Sequence, residues 1–290
     1  MSLAHDLSSD WLAVSEPFPH VLHIELSRKP VNAFSAAFWR AYGALLDRIV
    51  AECRDVRAVV LSSSIPKLFT AGIDLADAAK ITTGGLHALV APDPARTSLV
   101  ALQDIKEFQH AIGAPERCPF PVIVAVHGAV LGLGIDVIAA CDVRYAAADA
   151  SFSIKEVDIG LAADVGTLSY LPKITANHSL MRELAYSAEL FSAADAQRLG
   201  LVSRVVPGSR DEVVGAALEL AGRIAAKSPI AVSGTKRILI HARDHSVAEN
   251  LEYTSVWNAA ALNTADIPET LAAMKAKRAP KFVPLMKTKM

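Results

Sequence analysis

The stretch from Pro119 to Ala140 restricts this chain more than any other. It is apolar enough to raise the question of a membrane span, which takes about 20 such residues. Yet it holds Pro121, His127, Asp136 and three glycines, Gly128, Gly132 and Gly134. An unpaired charge in an apolar medium is costly, and proline and glycine interrupt a helix. The segment therefore reads as a strand, Val122 to Val126, then a turn, then a buried helix from about Gly134. Within 290 residues, a 52% hydrophobic content is ample for the core that this unit needs.

Short strands and helices alternate around it. Leu22, Ile24 and Leu26 face one side of an extended segment while Val21, His23 and Glu25 face the other, the pattern of a half-buried strand. Ser35 is placed to cap a helix carrying Phe38, Leu45 and Ile49. Ala58 to Leu61 reads as a buried strand, residues 80 to 97 as a flexible loop, and Ser98 to Ile112 as a helix. That helix has an apolar stripe of Leu99, Leu102, Ile105, Phe108 and Ile112. Strands at Val143 to Tyr145 and Ser151 to Ile154 continue the alternation, which argues for an α/β fold. After Gly200 a strand at Val202 to Val206 is followed by helices at Asp211 to Ala226, Ala231 to His241 and Ser246 to Ala261. A last helix starts at Asp266, where Asp266 and Glu269 have capping-box spacing. Residues 1–200 thus read as a core with the active site and 201–290 as a mainly helical region.

Charge narrows the partners. A net charge of -1 from 29 basic and 30 acidic residues leaves no footprint for nucleic acid or an anionic membrane and favours small molecules. Cys53, Cys118 and Cys141 are odd in number and lack metal-ligand spacing, as expected of reduced packing thiols inside a cell. The first ten residues carry neither a basic cluster nor an apolar core, so no secretory signal is expected. The end, Thr288-Lys289-Met290, loosely resembles the tail read by peroxisomal import and favours that compartment over mitochondrion or cytoplasm.

Two turns and three acids carry the chemistry. Phe69 to Leu75 places an Ala71-Gly72 pair after a strand, where the backbone turns sharply and leaves N–H groups free. His127 to Gly134 opens a helix whose first N–H groups lack intrahelical partners. Two such donors on one carbonyl oxygen make an oxyanion hole, each worth about 3–4 kcal/mol. Asp136, Glu156 and Asp164 follow. Taken singly they read equally well as a helix-dipole partner, a solvated strand end and a helix cap. A dinucleotide site needs a Gly-x-Gly-x-x-Gly order that Gly128, Gly132 and Gly134 do not have. His127 reads as a hydrogen-bonded structural residue.

Together these motifs resemble the enoyl-CoA hydratase/isomerase, or crotonase, family over nearly the whole chain. The resemblance rests on Asn32-Ala33-Phe34, Ala71 to Leu75, Val126 to Asp136, Gly200-Leu201-Val202 before Val205-Val206-Pro207, and the Lys277-Arg278 and Pro280-Lys281-Phe282 ending. It implies a spiral of ββα units, a trimerisation role for the helical region 201–290, trimers or paired trimers, and acyl-CoA thioester substrates with no further cofactor and no metal. It also implies that Ala71, Gly72, Ile73, Asp74, Leu75 and Leu133 bind substrate, the N–H groups of Ile73 and Leu133 forming the oxyanion hole. Leu133 stands where the pattern has glycine, which predicts a narrowed site or an altered turn. Arg28 and Lys29, and Lys281 from a neighbouring subunit, are candidates for the CoA phosphates. The run Lys155 to Leu168 resembles Δ3,5-Δ2,4-dienoyl-CoA isomerases, which implies Asp164 as base, Glu156 as acid and Asp136 as their tuner. A 2-enoyl-CoA hydratase is the alternative, since it shares the acids at 136 and 156 but has glycine at 164. Burial and mutual repulsion are expected to raise at least one of the three carboxyl pKa values.

Overall fold

The structure, a computed structural model, describes residues 6–53, 55–77 and 93–285. The expected loop at 80–97 lies largely outside them, and the tail Thr288-Lys289-Met290 wholly so. Ten strands are named here: β1 (Leu12–Phe18), β2 (Val21–Leu26), β3 (Ala58–Ser63), β4 (Leu68–Thr70), β5 (Val122–Val126), β6 (Ala129–Leu131), β7 (Val143–Ala147), β8 (Ser151–Ser153), β9 (Phe191–Ser192) and β10 (Arg204–Val206). They form two sheets, one in the order β1-β2-β3-β5-β7-β10 and one in the order β4-β6-β8-β9. From β3 to β8 the chain alternates between them, long strand in the first sheet and short strand in the second. This repeated ββ step is the spiral that the resemblance implies. Except at the antiparallel β1–β2 and β8–β9 pairs, the neighbours run parallel.

The large sheet is buried on both faces. Leu22, Ile24, Leu26, Val59, Leu61, Val122 and Val124 enter the main core with Phe38, Tyr42 and Ile49 of the helix Ala36–Glu52. The alternate positions Val21, Ala58, Val60, Ile123 and Ala125 face Val213, Ala217 and Ala221 of the helix Arg210–Ala225. The half-buried reading of 21–26 is therefore corrected: His23 is buried, with Nε2 2.8 Å from Ser62 Oγ, and Glu25 pairs with Arg210. Helix coverage on both sides is the reason, as usual for a parallel sheet.

Ser35 caps its helix as expected, its hydroxyl accepting from the N–H of Phe38 at 3.3 Å. Two helix expectations change. The helix read from Ser98 begins at Pro94, because Asp93 accepts the N–H of Arg96 at 2.9 Å and proline suits the first helical position. Along it Phe108, stacked on Trp39, Ala111 and Ile112 meet the core, while Leu99 is 66% and Leu102 50% exposed. The capping box at Asp266 is absent. Asp266 is instead the first residue of the helix Asp266–Lys275, is buried, and accepts from Ser228 Oγ; Glu269 pairs with Arg278 and the N–H of Lys281. Strand β10 joins the large sheet beside β7, so residues past 200 contribute directly to the main fold. Helices Pro229–Asp244, Val247–Ala261 and Asp266–Lys275 follow, and the middle one buries no residue.

Candidate active site

The site lies at the ends of the short strands. After β4 the chain turns through Ala71 to Leu75, and most of its N–H groups there are occupied. Ala71 donates to Val31 O, Gly72 to Thr70 Oγ1 and Asp74 to Phe34 O, at 3.0 Å each. Among the described residues the Ile73 N–H donates to no protein acceptor. Gly72 makes this turn at φ +91°, and a Cβ on it would lie 2.7 Å from Leu131 O and 3.6 Å from Leu133 N. The two turns thus touch at Gly72, and a side chain there would drive them apart.

The second turn is tighter than a plain loop. Strand β6 occupies its centre, and Gly132, at φ +49°, precedes the helix Leu133–Ala139 and donates to Ser153 O at 2.9 Å. Leu133 is the first residue of that helix, so its N–H has no intrahelical acceptor and, among the described residues, no other. Ile73 and Leu133 therefore present a free N–H pair on either side of the Gly72 contact. Leu133 itself is buried in the main core.

The same helix carries Asp136 in its first turn, 1% exposed. Its Oδ1 accepts the N–H of Thr167 at 2.6 Å, at the start of the helix Thr167–Ile174. Burial, and then the charge of Glu156, push Asp136 up to about 7 against that hydrogen bond. Glu156 opens a single 3₁₀ turn, Glu156–Ile159, after β8. A Cβ on Gly132 would lie 3.4 Å from Glu156 Oε1, so this carboxyl faces the second turn, and its Oε2 is buried without a partner among the described residues. Burial and the charge of Asp164 raise its pKa over the opposing N–H groups of Glu156 and Lys155.

Asp164 is exposed and precedes Val165-Gly166-Thr167, and its carbonyl accepts from Gln109 Nε2 at 2.6 Å. The three acids are electrically coupled in series, the charge of Asp164 acting on Glu156 and that of Glu156 on Asp136. Gly166 sits between, a Cβ there meeting Tyr170 at 3.0 Å and Asp136 Oδ1 at 3.7 Å. Thr167 and Gln109 were not legible as site residues, because each acts through a single bond to a residue distant in sequence.

Other candidates are occupied elsewhere. Asp74 pairs with Arg28 at 2.9 Å, and Arg28 also donates to Ala33 O at 2.5 Å, while Leu75 is 70% exposed. His127 Nε2 lies 2.9 Å from Ile65 O, the structural role expected of it. The three cysteines are free and buried, and burial pushes Cys118 up to about 12. Among the described residues there is no His, Cys, Asp and Glu cluster suited to a metal ion, and no helix long and apolar enough to cross a membrane. The arrangement pairs two N–H donors with a graded set of carboxyls, a device for moving protons on a molecule whose carbonyl oxygen takes up charge.

A family model described as enoyl-CoA hydratase/isomerase matches residues 19–284. The chain is 45% identical over 271 residues to the human mitochondrial Delta(3,5)-Delta(2,4)-dienoyl-CoA isomerase, covering 93% of this chain and 80% of that one. It is 41% identical to the peroxisomal Delta(3,5)-Delta(2,4)-dienoyl-CoA isomerase of Arabidopsis thaliana, covering 91% and 93%. The crystal structure of an enoyl-CoA hydratase from Bacillus anthracis superposes with a TM-score of 0.81 at 28% identity, covering 94% and 98%.

Proposed function

The chain belongs to the enoyl-CoA hydratase/isomerase family, and from that premise we propose that it converts 3,5-dienoyl-CoA to 2,4-dienoyl-CoA in fatty acid β-oxidation. The observation that carries this reading is the acid at 164, whose charge acts on Glu156 as that of Glu156 acts on Asp136. The human and Arabidopsis thaliana relatives with the isomerase name are 45% and 41% identical to the chain, against 28% for the solved hydratase.

The thioester oxygen accepts the N–H groups of Ile73 and Leu133. Asp164 takes a proton from C2, the electron pair moves into the conjugated chain, and the oxygen holds the charge of the trienolate. Glu156 gives a proton to C6, and the double bonds settle at C2 and C4. Solvent then returns Asp164 and Glu156 to their starting states, Asp164 being the exposed member. Asp136 supports the donor role of Glu156, since neighbouring carboxyls resist ionising together. The reaction moves a proton within one substrate, so coenzyme A enters as part of that substrate and no separate cofactor is required. The turn Ala71 to Leu75 and Leu133 bind the thioester, with Lys29 and Lys281 left as cations for the CoA phosphates.

The helical region 201–290 serves assembly in this reading, as a homotrimer or homohexamer. Val247, Leu251 and Val256 project from the helix Val247–Ala261, which buries none of its residues within the chain. The tail Thr288-Lys289-Met290 favours the peroxisome, and the names of the relatives include both mitochondrial and peroxisomal forms.

The test is an assay with a 3,5-dienoyl-CoA and with crotonyl-CoA. Formation of the conjugated 2,4-dienoyl thioester is expected as a rise in absorbance. Asp164→Asn is expected to lower kcat on the order of 10³-fold, the range for a proton-transfer group, with an unchanged circular dichroism spectrum. Near-normal isomerisation by that variant, or hydration of crotonyl-CoA as the main activity, would overturn the reading.

A further inference from the structure

We propose that Tyr170, Glu116 and Arg243 are positioning residues for Asp164, so that the helix Pro229–Asp244 takes part in catalysis without touching substrate. The inference rests on the reading of Asp164 as the base.

Asp164 lies on a short connection between the 3₁₀ turn at Glu156–Ile159 and the helix Thr167–Ile174. Such a connection aims a carboxyl only if both its ends are held. The Gln109 bond holds the carbonyl of Asp164 at one point, and Asp136 holds the N–H of Thr167 at another. Between them lies Gly166, and the ring of Tyr170, one helical turn later, is packed against it. The N–H groups of Ser169 and Tyr170 both donate to Gly166 O at 2.9 Å. The corner that enters the helix Thr167–Ile174 is therefore set by where the Tyr170 ring stands.

That ring is held by residues of two other helices. The Tyr170 hydroxyl donates to Glu116 Oε2 at 2.7 Å, on the short helix Ala114–Arg117. Glu116 Oε1 is 2.5 Å from Arg243 Nη1, and the Arg243 guanidinium lies 5.4 Å from the centre of the Tyr170 ring. Glu116 and Arg243 are 19% and 24% exposed, so solvent screens the pair only partly. One residue on, Asp244 meets Lys173, which lies on the same helix as Tyr170, at 3.1 Å. A carboxylate and a guanidinium from two other helices thus hold the Tyr170 side chain at its hydroxyl and its ring face, and that ring bears on the corner carrying the base. A displacement of about 1 Å in a reacting group costs on the order of 10²-fold in rate, so a small loosening here reaches the proton transfer.

The experiment measures kcat and KM for 3,5-dienoyl-CoA in the wild type, Tyr170→Phe, Arg243→Met, Glu116→Ala and Glu116→Gln, all expressed per folded molecule from circular dichroism. Tyr170→Phe keeps the ring and removes only its hydroxyl. The expected result is a fall in kcat of about tenfold for Tyr170→Phe, Arg243→Met and Glu116→Ala with KM within about twofold, a fraction of the loss for a full 1 Å displacement. Glu116→Gln, which still accepts from Tyr170 but loses the charge facing Arg243, is expected to recover part of the loss seen in Glu116→Ala and to fall no lower than Arg243→Met. A kcat for Tyr170→Phe and Arg243→Met within twofold of wild type overturns the proposal while the isomerase reading stands. So does a loss that disappears when activity is referred to folded protein, or one that appears equally in KM. A wild-type enzyme with no isomerase activity overturns the isomerase reading itself and this role with it.

Discussion

The two ends of the helix Leu133–Ala139 present two acids in low-polarity surroundings with opposite consequences. At its start Asp136 is buried beside Glu156 and, apart from hydrogen bonds at the Gly166-Thr167 backbone, has a second acid for a neighbour. Just past its end Asp142 accepts the Nζ of Lys236 at 2.7 Å and the N–H of Val122 at 2.8 Å. Lys236 is itself buried and also donates to Pro115 O and Phe120 O. Burial raises both aspartates, but at Asp142 the cation opposes it, whereas at Asp136 the nearby carboxylate adds to it. A half-buried acid with a cation and a backbone donor ties the segments around it together. A buried acid next to another acid holds a proton ready near neutral pH.

The largest effect expected from breaking this contrast is at the locked end. Lys236→Met leaves Asp142 in its half-buried place without its cation, and a loss of about 3–5 kcal/mol is expected by chemical denaturation. Lys236→Met combined with Asp142→Asn should recover much of it, and a double variant no better than the single one would deny that the pair is a lock. The second test is at the proton-holding end. Asp136 has a folded pKa above its unfolded value, so its stabilising contribution is complete below about pH 3.8 and is lost as pH rises through about 7. Asp136→Asn keeps an oxygen for Thr167 but does not titrate. Its stability relative to wild type is expected to grow between pH 4 and pH 8 by at least about 1.4 kcal/mol, one pKa unit's worth. A difference that stays flat with pH would remove the raised pKa from the account. The smallest effect is at Asp158, two residues from Glu156, which pairs with Lys155 at 2.9 Å on the surface. Asp158→Asn is expected to change stability by less than about 0.5 kcal/mol and kcat by less than twofold. A larger loss would mean that the line of acids does not end at Asp164.

Much of the fold was legible because its signals are local. Ser35 caps its helix and Val122 to Val126 is a strand, since each depends on residues a few places apart. His23 and Glu25 misled because polar residues on alternate positions look solvated until a helix with Arg210 and Val213 covers them. Asp266 and Glu269 misled similarly, their carboxylates being taken by Ser228 and Arg278, which lie outside the helix they begin. At the site, the motif residues around Ala71 and Leu133 were visible, but not which of their N–H groups stay free. That depends on Val31, Phe34 and Thr70 claiming the others.

The sequence by itself determined the family, the alternation of strand and helix, and the set Asp136, Glu156 and Asp164, because residue types and short spacings carry that information. Only the tertiary structure decided how those acids differ. Asp136 is buried against Thr167, Glu156 is half-buried against Gly132, and Asp164 is exposed and held by Gln109. The physical reason is that a carboxyl's affinity for its proton depends on the water it has lost and the charges it has gained. Both are properties of packing between segments that the chain brings together only on folding.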